Sequence, residues 1–118
     1  MEMEGEGYTS YVASRVAAAG LAQRLPFRNA SFDRVTSTWA FPTCLYDCGG
    51  SNGAHVDGYS EILRVLKPGG MARLGPLRSL RQIEHTDTIL RELENGVGFS
   101  FTFPSVNSTA KAIELVRV

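Results

Sequence analysis

The chain has 118 residues, 43% of them apolar and 20% charged, which is enough for one folded core and too apolar for a disordered segment. Twelve Lys and Arg balance twelve Asp and Glu without a basic run, so nothing marks a nucleic-acid footprint. Two cysteines make no disulfide framework, no signal-peptide pattern opens the chain, and no apolar run approaches the roughly twenty residues of a membrane span. The expectation is a cytoplasmic, single-domain protein without a membrane partner. The Asn-x-Ser/Thr triplets at Asn29 and Asn107 then read as chance matches, because glycosylation requires secretion.

Residues 1–7 are acidic and contain two glycines. Tyr8, Tyr11, Val12, Val16 and Ala19 fall on one stripe of a helix that Gly20 would stop. Leu21 to Phe27 is a connector. Phe32 to Ala40, with Val35, Thr36, Thr38 and two aromatics, predicts a strand. Phe41 to Ala54 predicts a loop, since Pro42, Gly49, Gly50 and Gly53 interrupt it. Helical spacing resumes over His55 to Leu66 through Val56, Tyr59, Ile62, Leu63 and Leu66. Asp57 would sit in the first turn and Lys67 near the C-terminus, and Pro68-Gly69-Gly70 would end the helix.

Met71 to Leu74 predicts a short strand. Leu80, Ile83, Ile89, Leu90 and Leu93 predict one or two helices that close at Asn95-Gly96. Phe99, Phe101 and Phe103 alternate onto one face, and Ile113 to Val118 supplies a second strand, so the chain should end on an antiparallel pair.

Several stretches resemble a known family. Leu25-Pro26-Phe27, then Ser31-Phe32-Asp33-x-Val35, Ser37 in the same strand, and Glu61-Ile62-x-Arg64-Val65-Leu66-Lys67-Pro68-Gly69-Gly70 are similar to the middle of class I S-adenosylmethionine-dependent methyltransferases. They look most like the small-molecule and ubiquinone-biosynthesis-like type. The likeness covers about Ala22 to Val118, with the motifs in family order. It implies an α/β three-layer domain with an incomplete Rossmann-like methyltransferase sheet and a C-terminal antiparallel strand pair. On that likeness the chain is one truncated domain over residues 1–118, with residues 1–20 an N-terminal segment and helix and residues 21–118 the family-like core.

The resemblance also implies a cofactor, S-adenosylmethionine, over the carboxyl ends of the strands at the switch point of the sheet. The positions it would place near the donor are Gly5, Gly7, Leu21, Ala22, Ser37 and Thr38. Gly5 and Gly7 resemble a shortened form of the glycine turn that opens the family's first helix, or else belong to a mobile N-terminus. An alternative alignment takes Tyr11-Val12-Ala13-Ser14 as the third strand and leaves that turn out.

The chain departs from the pattern where the family grips the ribose. Between Gly7 and Phe32 there is no Asp or Glu, and Leu21 stands where an Asp often flanks the adenine. A charge-assisted hydrogen bond is worth about 1.5–3 kcal/mol, so its loss costs roughly ten to more than a hundredfold in affinity. Between Gly20 and Leu25 there is also no room for the second strand, its helix and a full third strand. The chain reads as a family member lacking its N-terminal portion or carrying an internal deletion. The strand at Phe32 to Ala40 would then expose one edge, through which a second copy or a partner could pair.

Other candidates are weaker. Cys44-x3-Cys48 with Asp47 and His55 has metal-ligand spacing but lacks a second ligand pair, so ordinary loop thiols are expected and no metal site is assigned. His85, beside Glu84 and Asp87, reads as a solvated surface residue. Arg73 either pairs with an acid or lies on an exposed face. Trp39 to Cys48 would border the acceptor pocket if the resemblance holds, and no residue there marks a catalytic base. Two functions remain: methyl transfer to an unidentified acceptor, a small molecule if the chain is active, or a methyltransferase-like binding or assembly domain, or remnant, without catalysis and without a full cofactor site.

Overall fold

The computed structural model describes residues 2–4, 11–12, 27–49, 51–95, 99–102 and 112–118. In chain order the elements are β1 (Glu2–Glu4), β2 (Tyr11–Val12), β3 (Phe32–Thr38), α1 (Thr43–Cys48), α2 (Asn52–Val65), β4 (Leu66–Gly75), α3 (Leu80–Glu94), β5 (Phe99–Thr102) and β6 (Ile113–Arg117). Six strands form one sheet in the order β2-β1-β3-β4-β6-β5. Among the described residues only β3 and β4 run parallel; the other four pairings are antiparallel. A parallel pair needs a crossover, and α2 supplies it. The expected mixed α/β, Rossmann-like sheet and its C-terminal antiparallel pair are both present.

Register decides where the core lies. Val35 of β3 is level with Ala72 of β4 and Leu115 of β6, and Ser37 is level with Leu74 and Ile113. All six are buried. Tyr59, Ile62 and Leu63 of α2 and Ile89 and Leu90 of α3 join the same core. The alternate positions carry Arg34, Thr38, Arg73 and Val116, all exposed. Arg73 therefore takes the second of its two expected places. Phe99 is buried and Phe101 partly so, as a core face requires, whereas Phe103 lies outside the described residues.

Serine caps set both long helices. Ser51 Oγ accepts from Ala54 N at 3.2 Å at the start of α2, and Ser79 Oγ accepts from Gln82 N at 3.2 Å at the start of α3. The helix predicted from His55 begins three residues earlier, so Asp57 is not in its first turn. It also stops at Val65, because Leu66 is already extended and Lys67, preceding Pro68, is sterically biased the same way. Pro68-Gly69-Gly70 is thus not a helix stop but part of an irregularity within β4. Phe32 pairs with Leu66 while Arg34 pairs with Met71, so the extra residues bulge out. Gly70 is needed there, since a Cβ would lie 2.8 Å from the Lys67 carbonyl oxygen and 3.1 Å from that of Asp33.

Two further expectations are corrected. The outer edge of β3 is not bare: β1 pairs antiparallel with Arg34 to Thr36, and Tyr11–Val12 adds a strand beyond it. Backbone pairing outweighs the helical stripe at these two positions, an aromatic and a β-branched residue that suit strands. The premise for association through that edge therefore falls. The loop expected at 41–54 contains α1, bracketed by Pro42 before its start and by Gly49, in the left-handed conformation at φ 71°, after its end.

The Glu61-x-x-Arg64 motif has a holding role. Arg64 pairs with Glu61 at 2.6 Å and donates to the Phe27 carbonyl at 2.7 Å, tying the chain entering β3 to the end of α2. Arg117 of β6 donates to the carbonyl oxygens of Arg64 and Leu66.

Candidate functional site

The chain leaves the carboxyl ends of β3 and β4 close together. Trp39 N donates to Gly75 O at 2.8 Å, and Thr43 Oγ1 donates to Pro76 O at 2.7 Å. Trp39 is held at φ 59°, in the left-handed region that a bulky residue avoids, and is 46% exposed. Such strain, of order 1–3 kcal/mol, concentrates at functional sites. From here one branch forms α1 and the start of α2, and the other forms α3.

Where these three helices meet there is a cavity of about 370 Å³. Leu45, Tyr46 and Gly49 line it from α1 and its cap, Asn52 and His55 from α2, and Ser79, Arg81, Gln82 and His85 from α3 and its cap. Its size falls within the roughly 300–1,000 Å³ of small-molecule pockets, and its lining comes from the segments that follow the carboxyl ends of β3 and β4, the part of an open α/β sheet where ligands bind.

A polar chain fixes one wall. Tyr46 Oη lies 2.7 Å from His85 Nδ1 and 2.8 Å from Thr86 Oγ1. His85 Nε2 lies 2.7 Å from Asn52 Oδ1. The Tyr46 hydroxyl also donates to the Gln82 carbonyl oxygen at 3.2 Å, so its one proton serves Gln82 or His85, and the roles of the His85 nitrogens follow its tautomer. Burial raises the Tyr46 pKa, and the Thr86 hydrogen bond acts against that.

His55 stands beside this chain. Its ring centroid is 4.6 Å from that of Tyr46 and 5.1 Å from that of His85. It is 1% exposed, and its Nδ1 has no hydrogen-bond partner among the described residues. Burial first, and the neighbouring His85 charge second, bring its pKa down to about 4. His55 is neutral at pH 7 and is a site for hydrogen bonding rather than a proton store.

The positions expected from sequence divide. Gly5, Gly7, Leu21 and Ala22 lie outside the described residues. Ser37 is 1% exposed near the end of β3, and its Oγ has no hydrogen-bond partner among the described residues; Thr38, the last residue of the strand, is exposed. Neither lines the cavity. Cys44 is buried in α1 and outside any disulfide, and the Cys48 side chain is outside the description. Among the described residues no three His, Cys, Asp or Glu side chains cluster as metal ligands. No described helix is long and apolar enough to cross a membrane.

Tyr46, Asn52, His55 and His85 are not legible in the sequence as one site. His85 is half-buried rather than solvated, because Tyr46 and Asn52 reach across it from two other helices. His55, expected to begin a helix, is on its inner face. The one available signal is the position of Tyr46 within the stretch after β3.

A family model described as a methyltransferase domain matches residues 10–74, more than half of the chain. The match begins downstream of Gly5 and Gly7. A candidate DNA modification methylase from Thermus thermophilus shares the fold at a TM-score of 0.52 with 17% identity, over 85% of this chain and 49% of that one. The same protein complexed with S-adenosyl-L-methionine aligns at a TM-score of 0.49 with 18% identity, over 85% and 52%. The chain thus spans about half the length of these solved structures. No protein of curated function matches the sequence. Carrying the methyltransferase domain over residues 10–74, the chain belongs to the class I S-adenosylmethionine-dependent methyltransferase family.

Proposed function

We propose that the protein transfers a methyl group from S-adenosylmethionine to a small-molecule acceptor held in the cavity between α1, α2 and α3. The observation that carries this is a cavity lined by the segments that follow the carboxyl ends of the parallel pair, in a chain that carries a methyltransferase domain over residues 10–74. When bound, the sulfonium supplies an already activated methyl group, so the protein's task is to hold donor and acceptor in line. Ser37 is the described residue best suited to the donor, since its buried Oγ has no hydrogen-bond partner among the described residues, and Thr38 follows it at the strand end. Gly5, Gly7, Leu21 and Ala22 complete the proposed donor contacts by resemblance. The Tyr46–His85–Asn52 chain orients the acceptor side. Balanced charge favours a small acceptor over the nucleic acid that the name of the Thermus protein suggests for that protein.

One observation favours a second reading, a methyltransferase-like binding domain without catalysis: no carboxylate lies between Gly7 and Phe32 to hold a ribose. Thermal melting with S-adenosylhomocysteine separates the two. A ligand at about a hundredfold its Kd stabilises by about 2.7 kcal/mol, so saturating cofactor should raise the Tm by several degrees. An unchanged Tm up to millimolar ligand would support the second reading and overturn the first.

A further inference from the structure

We propose that the cavity takes an acidic acceptor: a small planar molecule, such as an aromatic ring, bearing a carboxylate. This rests on the methyl-transfer reading for the word acceptor, but the binding itself does not.

Charge and helix geometry point to an anion. Ser79 caps α3, a helix of 15 residues, Arg81 and Gln82 belong to its first turn, and Asn52 opens α2, a helix of 14. Both N-termini therefore border the same space, and neither helix has an acidic residue in its first turn. Helix N-termini carry partial positive charge and amides without intrahelical acceptors. Ser79 Oγ takes the amide of Gln82, which leaves the amides of Leu80 and Arg81 as donors in that turn. Arg81 adds a guanidinium to the lining, and among the described residues no Asp or Glu lines the cavity. Asp47, close by in sequence, is ion-paired with Arg78.

The second observation is independent of the helix ends. His55 is in the cavity wall, 1% exposed, and its Nδ1 has no hydrogen-bond partner among the described residues. A buried polar atom without a partner costs stability unless a ligand or water meets it. The wall around it is also ring-rich. Tyr46, His55 and His85 lie with centroids 4.6 to 5.6 Å apart, and buried Leu45 adds apolar surface. Rings of this kind suit a flat ligand body, while Arg81 and the α3 amides suit its carboxylate.

The test is a calorimetric titration of the full chain, without S-adenosylmethionine, using benzoate and its neutral isostere benzamide. Benzoate should bind at least about tenfold tighter than benzamide, the discrimination that one charge-assisted hydrogen bond supplies. Arg81→Gln, at an exposed position where folding is not at stake, should remove most of that difference, and His85→Gln should weaken both ligands. Equal affinity for the two ligands, or no benzoate binding at millimolar concentration, would overturn the proposal. Displacement of benzoate by an equal concentration of inorganic phosphate would overturn the planar-acid assignment. If benzoate binds while S-adenosylhomocysteine leaves the Tm unchanged, the acid site stands and methyl transfer falls; the converse result separates them the other way.

Discussion

Replacing Phe41 by alanine should destabilise the domain by about 3–5 kcal/mol, measured by urea unfolding. Phe41 is fully buried where the chain turns from β3 toward α1, and its ring meets that of Tyr59 edge-on at a centroid distance of 4.9 Å. It also determines which residue α2 can present. A Cβ at Gly58 would lie 2.3 Å from Phe41 Cε2, so Gly58→Ala should cost about 1–3 kcal/mol despite alanine's better helix propensity. In the Phe41→Ala background the obstruction is gone, and Gly58→Ala should become neutral or stabilising. Such a change of sign in the double-mutant cycle is diagnostic of direct contact. Equal effects of Gly58→Ala in the two backgrounds would refute this packing.

The second large effect is on pH dependence. The His55 pKa is about 4 in the folded protein, against an ordinary value of 6.5, because burial disfavours the charged ring. Between these values the unfolded chain binds a proton that the folded chain does not. The His55 contribution is therefore fully present above pH 6.5 and is lost as pH falls toward 4, amounting to roughly 3 kcal/mol. Urea unfolding at about pH 7 and about pH 4.5 should show this loss in the wild type. His55→Gln removes the titrating group and should flatten the dependence over the same interval. A parallel loss in both proteins would assign the slope to carboxylates instead.

These effects explain what can be read from sequence and what cannot. The strand at Phe32, the helix with Tyr59, Ile62 and Leu63, and the closing pair at Phe99 and Ile113 follow from periodicity and punctuation, which are local. The bulge at Lys67 to Gly70 does not, because Pro-Gly-Gly reads equally as a helix stop and only pairing with the start of β3 distinguishes them. The short helix Thr43–Cys48 is hidden by the breakers around it, although Pro before and Gly after a polar-apolar run are themselves helix boundaries. Pairing of Glu2 to Glu4 with β3 is a long-range contact with no local signature.

The candidate site is less legible still. Tyr46, Asn52, His55 and His85 come from three helices, with Tyr46 and His85 39 positions apart, so only tertiary packing makes them neighbours. Each has an ordinary local reading: a loop tyrosine, a polar turn residue, a helix start and a surface histidine. Ser37 is the opposite case. Its place in the strand marks it, and its burial without a hydrogen-bond partner among the described residues gives that position a physical meaning.

This chain, with no acid between Gly7 and Phe32, is expected to bind the methyl donor nonetheless. Calorimetric titration of the purified protein with S-adenosylmethionine and S-adenosylhomocysteine tests it most directly. Saturable heat is expected for both ligands, with a Kd on the order of 0.1 mM, weakened by the missing ribose carboxylate. No heat from either ligand at millimolar concentration would contradict it.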